Sequence, residues 1–402
     1  PELKAAKKAG VKLMTQKIKL YAATYLMEIC YGLFLLVAAL LAAKVIASPF
    51  LLGLTGSLHV ATRIFGNVGF GRWSDRIGRK TLLLPACVLF AVAFLLLRRA
   101  TPGAIFGAYF LGGVANSIFW PLIEAWIGHG NNDEGLLRAL GLFVVIFTVG
   151  IATGNLLGGL FMKIAPGTAC LIGCLFLAAI IFLLALTEEV DGASPPPAET
   201  DAPSSSKKIY LYLAWVANFA TWMAVGTIRF LFPKLCTKLG LPALRIGLIN
   251  ATLYLSWCLA SLFFMRFKGW IYRLTPLLVF QFLEASALAL IWLYPTTLTF
   301  FFGFALFGTG AAMTYFASMF YGQDKAPDRG TKSGFHEMIL GLGMLAGPLV
   351  GGGLAEVFTL SAPFAFCAFT VLGSMGLEVI LYTRNALKNG LHARAGLAPR
   401  RP

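Results

Sequence analysis

Charged residues are scarce in this sequence. They make up 12% of the 402 residues, whereas a soluble domain usually carries about twice that fraction. Hydrophobic residues make up 58%, and the mean hydropathy is +0.79. A water-facing surface could not accommodate so many apolar side chains. The composition therefore excludes an ordinary soluble protein and predicts that the chain lies in a lipid bilayer.

Acidic residues are the rarer of the two charge types. The chain has 17 Asp and Glu against 33 Lys and Arg, which gives a net charge of +16. Such a balance could indicate nucleic-acid binding, but the positive charge lies in short clusters between apolar runs. Clusters of this kind orient membrane helices. We therefore expect membrane lipid as a partner and no nucleic acid.

The motifs of nucleotide hydrolysis and of catalysis are missing from the sequence. It contains no G-x4-G-K-[ST] loop and no substantial soluble segment that could hold one. Its four histidines are widely scattered, and its seven cysteines lie mostly in or beside apolar runs, without the spacing of a zinc site. We therefore expect no enzymatic activity, no metal and no cofactor, and we interpret the cysteines as buried, inert thiols.

Long apolar runs dominate the chain instead. Each is about 20 residues long, the length that a helix needs to cross the hydrocarbon core. They predict an all-α membrane protein with twelve transmembrane helices. The predicted spans are 20–43, 50–70, 81–99, 103–127, 138–162, 167–187, 209–232, 244–265, 275–294, 297–322, 333–358 and 361–383.

A polar segment divides these runs into two sets of six. Residues 188–208 are rich in Pro, Ser and acid and show no apolar periodicity, which predicts a flexible linker. The predicted halves are residues 1–187 and residues 209–402, the second ending in a basic tail. Most Lys and Arg residues fall on the side that holds both termini and the linker. This bias predicts that these parts are cytoplasmic, in a multi-pass protein of the plasma membrane, or of the inner membrane in a bacterium.

The two halves share a glycine pattern. The fifth span has Gly150, Gly154, Gly158 and Gly159, with Asn155 after the second glycine. The eleventh span has glycines at the same spacing, with proline after the second; these residues are Gly343, Gly347, Pro348, Gly351 and Gly352. Glycines four residues apart let another helix approach closely. Duplicated six-helix halves are typical of transporters whose solute site lies between the halves.

The turn between the second and third spans, residues 71–80, reads GRWSDRIGRK. It resembles the G-x-x-x-D-R-x-G-R-K signature of the major facilitator superfamily. The resemblance implies two pseudo-symmetric six-helix bundles, alternating access, and a network that latches the halves together on the cytoplasmic side. We assign to this latch Gly71, Asp75, Arg76, Gly78, Arg79, Lys80, Glu124, Arg138 and Arg329. The alternative is that these cations only enforce topology.

Ionisable residues inside predicted spans are candidates for function because they are costly in a membrane. Glu28 lies in the first span on a polar helix face, and Arg63 reaches a similar depth in the second span. We predict that Glu28 carries a proton and that Arg63 modulates it; a purely structural ion pair is the alternative. Glu284 is interpreted as a local structural group. We expect Glu378 to reach the membrane interface.

Mixed aromatic and amide stripes predict a solute cavity. By the resemblance, helices 1, 4, 7 and 10 line it, and helices 2, 5, 8 and 11 flank it. The candidate residues are Tyr31, Asn116, Trp120, Asn218, Trp222, Arg229, Asn250, Tyr254, Trp257 and Tyr315. For any one of these aromatic residues, simple packing is an equally good interpretation. His336 and Glu337 could belong to a cytoplasmic gate or to proton coupling.

These features predict a monomeric secondary active transporter of a small organic solute, driven by an ion gradient, with protons as the expected ion. Arg229 would suit an anionic solute. Multidrug efflux by drug/proton antiport is an alternative, because the fifth span resembles the family's antiporter motif. Asn155 stands where that motif has proline and speaks against this assignment. A receptor or scaffold that does not transport is the alternative from a different class.

Overall fold

The computed structural model describes most of the chain. The backbone is described for residues 2–77, 79–128, 136–187, 205–324 and 329–394. Side chains are described for residues 15–16, 18–66, 80–123, 141–187, 208–324, 332 and 334–388.

The described residues form twelve α-helices and a single 3₁₀ turn at Lys268–Trp270, so the predicted all-α fold is confirmed. Every predicted span lies within a helix or passes its end by no more than two residues. Helix α7 begins at Ser205, inside the segment predicted as a linker. The helices are α1 Glu2–Val45, α2 Pro49–Ile77, α3 Arg79–Leu97, α4 Pro102–Gly128, α5 Leu136–Ile164, α6 Pro166–Ala185, α7 Ser205–Lys238, α8 Ala243–Arg266, α9 Leu274–Leu293, α10 Thr297–Gln323, α11 Arg329–Val357 and α12 Ala362–Arg394.

Length and composition suit these helices to a membrane. Within the described residues, eleven of them are long and apolar enough to cross a bilayer. The exception is α2, whose described part carries His59 and Arg63. Large apolar side chains also cover the outer surface; Leu175, Leu259 and Leu298 are 65%, 68% and 79% exposed. Such a surface is stable against lipid and not against water.

The glycine pattern packs the same pair of helices in each half. In the first half Gly154 lies against the backbone of Ile29 and Gly32, so that α5 touches α1 directly. In the second half Gly347 lies against the backbone of Met223, so that α11 touches α7 in the same way. No side chain fits at either position. The repeated motif therefore performs one packing role twice.

The last glycine of each motif makes a different contact, across the two halves. A Cβ atom on Gly159 of α5 would lie 2.8 Å from the carbonyl oxygen of Ala243 in α8. A Cβ atom on Gly352 of α11 would lie 2.8 Å from the carbonyl oxygen of Pro49 in α2. The pairs α5–α8 and α2–α11 make the most extensive contacts between the halves. We call the end of the bundle at these glycines, near the α1–α2 turn, the far end. The opposite end, near Thr187, is called the linker end.

Replacing Gly352 by Ala is expected to destabilise the protein. The added methyl group would overlap the Pro49 carbonyl, and overpacking of this kind costs about 1–3 kcal/mol. We expect the melting temperature of the purified protein, followed by intrinsic fluorescence, to fall by several degrees. The matched control is Gly353→Ala one residue along, where a Cβ atom would meet nothing within 4 Å. Equal melting temperatures in the two variants would contradict the contact.

Candidate functional site

A cavity of about 60 Å³ lies between the two halves. A water molecule needs roughly 10–15 Å³ of such space, so the cavity holds a few waters and must widen to admit an organic solute. Helices α1, α2, α4 and α5 form one wall, and α7, α10 and α11 form the other. The lining residues are Glu28, Tyr31, Val60, Arg63, Ile64, Trp120, Phe143, Phe147, Trp222, Arg229, Tyr315, Glu337, Leu340, Gly341 and Met344.

Four charged side chains line this cavity at two levels of exposure. Glu28 and Arg229 are buried, with 4% and 7% of their surface exposed. Arg63 and Glu337 are 21% and 38% exposed, and Nη2 of Arg63 lies 3.6 Å from Oε2 of Glu337. This ion pair joins α2 of the first half to α11 of the second. The structure thus brings Glu28 and Arg63 to one cavity, while their direct pairing stays a prediction.

Arg229 is held by neutral groups. Its Nε donates a hydrogen bond to the hydroxyl of Tyr254 at 2.9 Å, and Nη1 lies 3.5 Å from the sulfur of Met344. The guanidinium carbon lies 5.4 Å from the ring centroid of Trp222 and 5.7 Å from that of Tyr31. Among the described residues its Nη2 has no hydrogen-bond partner. The cavity wall therefore offers a buried cation with an unused donor.

Aromatic rings form most of the remaining wall. Tyr315 stacks on Phe147 with ring centroids 6.0 Å apart, and Trp222 lies 5.8 Å from Tyr315. On the opposite side, Nε1 of Trp120 donates to Oδ1 of Asn116 at 3.0 Å. Asn116 is itself fixed by a 2.8 Å bond from Nδ2 to the carbonyl of Gly112. The wall is thus rich in aromatic rings that contact one another or are held by hydrogen bonds. Such rings are suited to stacking against a planar group.

The predicted cavity residues divide into two groups. Tyr31, Trp120, Trp222, Arg229 and Tyr315 line the cavity. The other five are buried but do not line it; they are Asn116, Asn218, Asn250, Tyr254 and Trp257. Three of these support lining residues: Asn116 bonds Trp120, Tyr254 bonds Arg229, and Trp257 packs 5.9 Å from Trp222. Helical spacing did not separate the residues that line the cavity from those that do not.

Sequence reasoning missed several residues at this site. His59 is fully buried; its Nδ1 donates to the carbonyl of Tyr109 at 3.0 Å, and its Nε2 lies 3.4 Å from the hydroxyl of Tyr31. His59 lies one helical turn before Arg63, and this spacing was the available signal. The missed lining residues Phe143, Phe147 and Met344 are apolar and gave no signal. The sequence offers Glu337 as a candidate for a cytoplasmic gate or for proton coupling, but it does not predict the pairing with Arg63.

Two charged residues of the second half close the far end. Nζ of Lys234 donates to the carbonyls of Ala43 and Ile46 at 2.8 Å and 2.9 Å, at the end of α1. Oε2 of Glu356 accepts from the hydroxyl of Ser48 at 2.8 Å and from the backbone of α2 at 3.1 Å. A cation at a helix C-terminus and an anion at an N-terminus are both favourable. We call these contacts the far-end clasp.

Most of the predicted latch has no described side chains. This applies to Gly71, Asp75, Arg76, Gly78, Arg79, Glu124, Arg138 and Arg329, and the backbone of Gly78 is also outside the described residues. Lys80 is described: its Nζ donates to the carbonyls of Ala185 and Thr187 at 2.6 Å and 3.2 Å. It thereby caps the C-terminus of α6, a contact that the sequence analysis did not foresee.

Comparison with known proteins identifies relatives of this chain. The family model of the Major Facilitator Superfamily matches residues 20–335. The chain is 24% identical to Multidrug resistance protein 1 of Bacillus subtilis over 325 residues, which are 77% of this chain and 81% of that protein. The solved structure of the nucleoside transporter NupG is 13% identical, with a TM-score of 0.65 over 91% of this chain and 99% of that one. The human organic anion transporter MFSD10 (TETRAN) is 17% identical, with a TM-score of 0.61 over 90% and 99%.

Removing the clasp carboxylate by Glu356→Ala is expected to open the far end more often. A charge at a helix terminus contributes about 1 kcal/mol, which corresponds to a roughly five-fold shift between open and closed populations. Spin labels at Arg99 and Tyr294, in a chain whose native cysteines are replaced, report the separation of the halves at this end. We expect a larger share of long distances between the two labels in the variant than in the wild type. The control is Asp324→Asn, which removes a carboxylate bonded to Tyr272 near the linker end; equal distributions in both variants would contradict the clasp.

Proposed function

We propose that this chain, which belongs to the Major Facilitator Superfamily, is a secondary active transporter of a small organic solute. As a member of this family it is a multi-pass membrane transporter. The observation that carries the proposal is the central cavity, whose walls come from both halves and contain a buried carboxylate and a buried guanidinium. Because one chain supplies the whole cavity, we expect it to function as a monomer.

Alternating access needs a barrier on each side of the solute, and contacts between the halves on each side of the cavity support this proposal. The clasp of Lys234 and Glu356 closes the far end. The Arg63–Glu337 pair, which is partly exposed, lies towards the linker end. Opening one barrier while the other stays closed would expose the cavity to one side of the membrane at a time. The latch predicted around Asp75 would act at the linker end.

Glu28 is the proposed site of proton coupling. It is buried, lines the cavity, and lies against Gly150 of α5. A carboxylate is costly at this depth in a membrane, and protonation removes that cost. When the cavity opens, water can exchange a proton with Glu28. Arg63 lines the same cavity, and its charge would tune this exchange.

The chemistry of the cavity favours a solute with a planar ring and an anionic or hydrogen-bond-accepting group. The unused Nη2 of Arg229 can donate to such a group, and Trp222, Tyr31 and Phe147 provide ring faces. Binding would thus satisfy a buried cation that the chain leaves incompletely bonded. We propose organic anions as the substrate class.

Drug/proton antiport is the second candidate. It is favoured by the similarity to the Bacillus subtilis multidrug resistance protein over 77% of this chain. Against it stands Asn155, whose Nδ2 donates to the carbonyl of Ile151 at 2.8 Å, in place of the motif's proline.

We further propose that both termini face the cytoplasm, because Lys and Arg concentrate at the linker end. The plasma membrane is the proposed location.

The replacement Glu28→Gln is expected to uncouple transport from protons. Para-aminohippurate, a ring-bearing organic anion, serves as the probe in proteoliposomes with an imposed pH gradient. We expect the wild type to accumulate it and the variant to lose accumulation at least ten-fold while retaining exchange of probe for probe. The control Glu188→Gln removes a carboxylate from the predicted linker. Accumulation that ignores the gradient and survives Glu28→Gln would contradict the coupling role. Gradient-driven export of ethidium without para-aminohippurate transport would favour drug antiport.

The replacement Arg229→Met is expected to weaken recognition of the anion. A hydrogen bond to a charged group contributes about 1.5–3 kcal/mol, so affinity should fall roughly ten- to hundred-fold. The measurement is the rise in melting temperature caused by para-aminohippurate, which reports binding to the native state. The control is Arg245→Met, which removes an exposed arginine. Equal probe-induced shifts in both variants would contradict the role of Arg229.

A further inference from the structure

A second buried carboxyl group lies in the second half, outside the cavity lining. Glu284 of α9 is 0% exposed. Its Oε2 lies 2.8 Å from Oγ1 of Thr221 in α7, and its Oε1 lies 3.5 Å from Oγ1 of Thr314 in α10. The two threonine oxygens are 3.0 Å apart. Three helices therefore meet at one carboxyl group.

The hydrogen bonds in this cluster need more protons than the two hydroxyls supply. Oγ1 of Thr221 is also 3.1 Å from the carbonyl of Ala217, and Oγ1 of Thr314 is 3.1 Å from the carbonyl of Ala311. Each hydroxyl has only one proton to donate. A proton on Glu284 lets it donate to Thr221, which then donates to Thr314 or Ala217, while Thr314 donates to Ala311. A protonated carboxyl thus supplies a third donor to these contacts.

Among the described residues, no cation compensates the carboxyl, and Glu284 forms no ion pair. The titratable group that faces it is Glu378 of α12, which is also 0% exposed. Gln281 of α9 donates to Oε2 of Glu378 at 2.7 Å and accepts from Ser374 at 3.0 Å. Lys268, in the 3₁₀ turn before α9, is exposed. An ionised Glu284 would be a buried, unpaired charge beside a second acid.

Glu378 was expected at the membrane interface, and the structure corrects this. Helix α12 continues to Arg394, well beyond the predicted end of the span. Glu378 therefore lies in the middle of this helix and not near its end. Among the described residues its Oε1 has no hydrogen-bond partner. The second half therefore buries an incompletely bonded carboxyl next to the Glu284 cluster.

The cluster lies directly behind the cavity. Thr221 precedes Trp222 in α7, and Thr314 precedes Tyr315 in α10. Trp222 and Tyr315 line the cavity, while the threonines point to α9. A movement that separates α7 from α10 must therefore break the hydrogen bonds that hold the carboxyl proton.

We propose that Glu284 is a proton-binding site, separate from Glu28, that exchanges its proton when α7 and α10 move apart. The carboxylic acid gives its proton to water and becomes a carboxylate; the reverse step restores the acid and its hydrogen bonds to Thr221 and Thr314. This inference rests on the proposed proton-coupled function and adds a second site to it. Glu378 is the neighbouring acid whose charge opposes ionisation of Glu284.

Infrared spectroscopy of the full chain in lipid tests the site, because a protonated carboxyl group has its own carbonyl stretch. We expect a band for a buried carboxylic acid in the wild type, and loss of its Glu284 component in Glu284→Gln. Thr221→Val keeps the carboxyl but removes a hydrogen-bond partner, so the band should remain and shift in frequency. The control Glu188→Gln removes a carboxylate from the predicted linker and should leave the band unchanged.

The outcomes separate the site from the transport function. An identical band in the wild type and in Glu284→Gln would overturn the proposal, and so would a Glu284 component that stays constant at every pH at which the protein remains folded. If Glu284→Gln does not fold, an unshifted band in Thr221→Val would overturn it. A component lost in Glu284→Gln and titrating with pH in the wild type supports the site. This holds even if solute uptake ignores a pH gradient, a result that would instead refute proton-coupled transport.

Discussion

The structure depends on the direct backbone contact between its halves at the far end. At Gly159 and Gly352 two helices of one half touch two helices of the other with no side chain between them. Such contact excludes lipid and water and fixes the separation of α5 from α8 and of α2 from α11. The cavity lies further along α2, α5 and α11 towards the linker end. The glycines therefore determine where the halves meet most closely.

The charges inside the bundle show how the chain offsets the cost of burying them. Arg229 is surrounded by aromatic rings and a tyrosine hydroxyl, Arg63 pairs with Glu337, and Glu284 is surrounded by threonine hydroxyls. The Arg63–Glu337 pair joins opposite charges across the two halves. The hydrogen-bond partners of Arg229 and Glu284 are neutral, and Glu284 also faces the acid Glu378. Each of these two charges would therefore be better satisfied by a bound species: an anion at Arg229 and a proton at Glu284. Arg229 and Glu284, whose charges no opposite charge among the described residues compensates, are therefore the strongest candidates for binding a ligand.

The helices could be predicted from the sequence because the length of an apolar run is a local property. The glycine motifs could also be predicted, since their spacing alone places them on one helix face. The residues that line the cavity could be predicted only in part. Trp222 and Trp257 lie on polar helix faces of similar character, and only Trp222 lines the cavity. The rotation of α7 relative to α8 decides this, and the sequence does not reveal it. Glu378 was misplaced because α12 extends beyond its apolar run, and hydropathy does not reveal a helix that continues into polar sequence.

The two carboxyl groups proposed to bind protons share a packing feature. Glu28 of α1 lies against Gly150 of α5, and Glu284 of α9 lies against Gly310 of α10. Each acid is thus packed against a position where the neighbouring helix has no side chain, so a small displacement of that helix changes the space around the carboxyl. Ionisation needs water, and water needs that space. A shift of α5 or α10 would hydrate its acid and favour proton release, and the return of the helix would favour protonation. If both groups exchange protons as proposed, that exchange and the helix packing would be coupled through the same kind of contact in both halves.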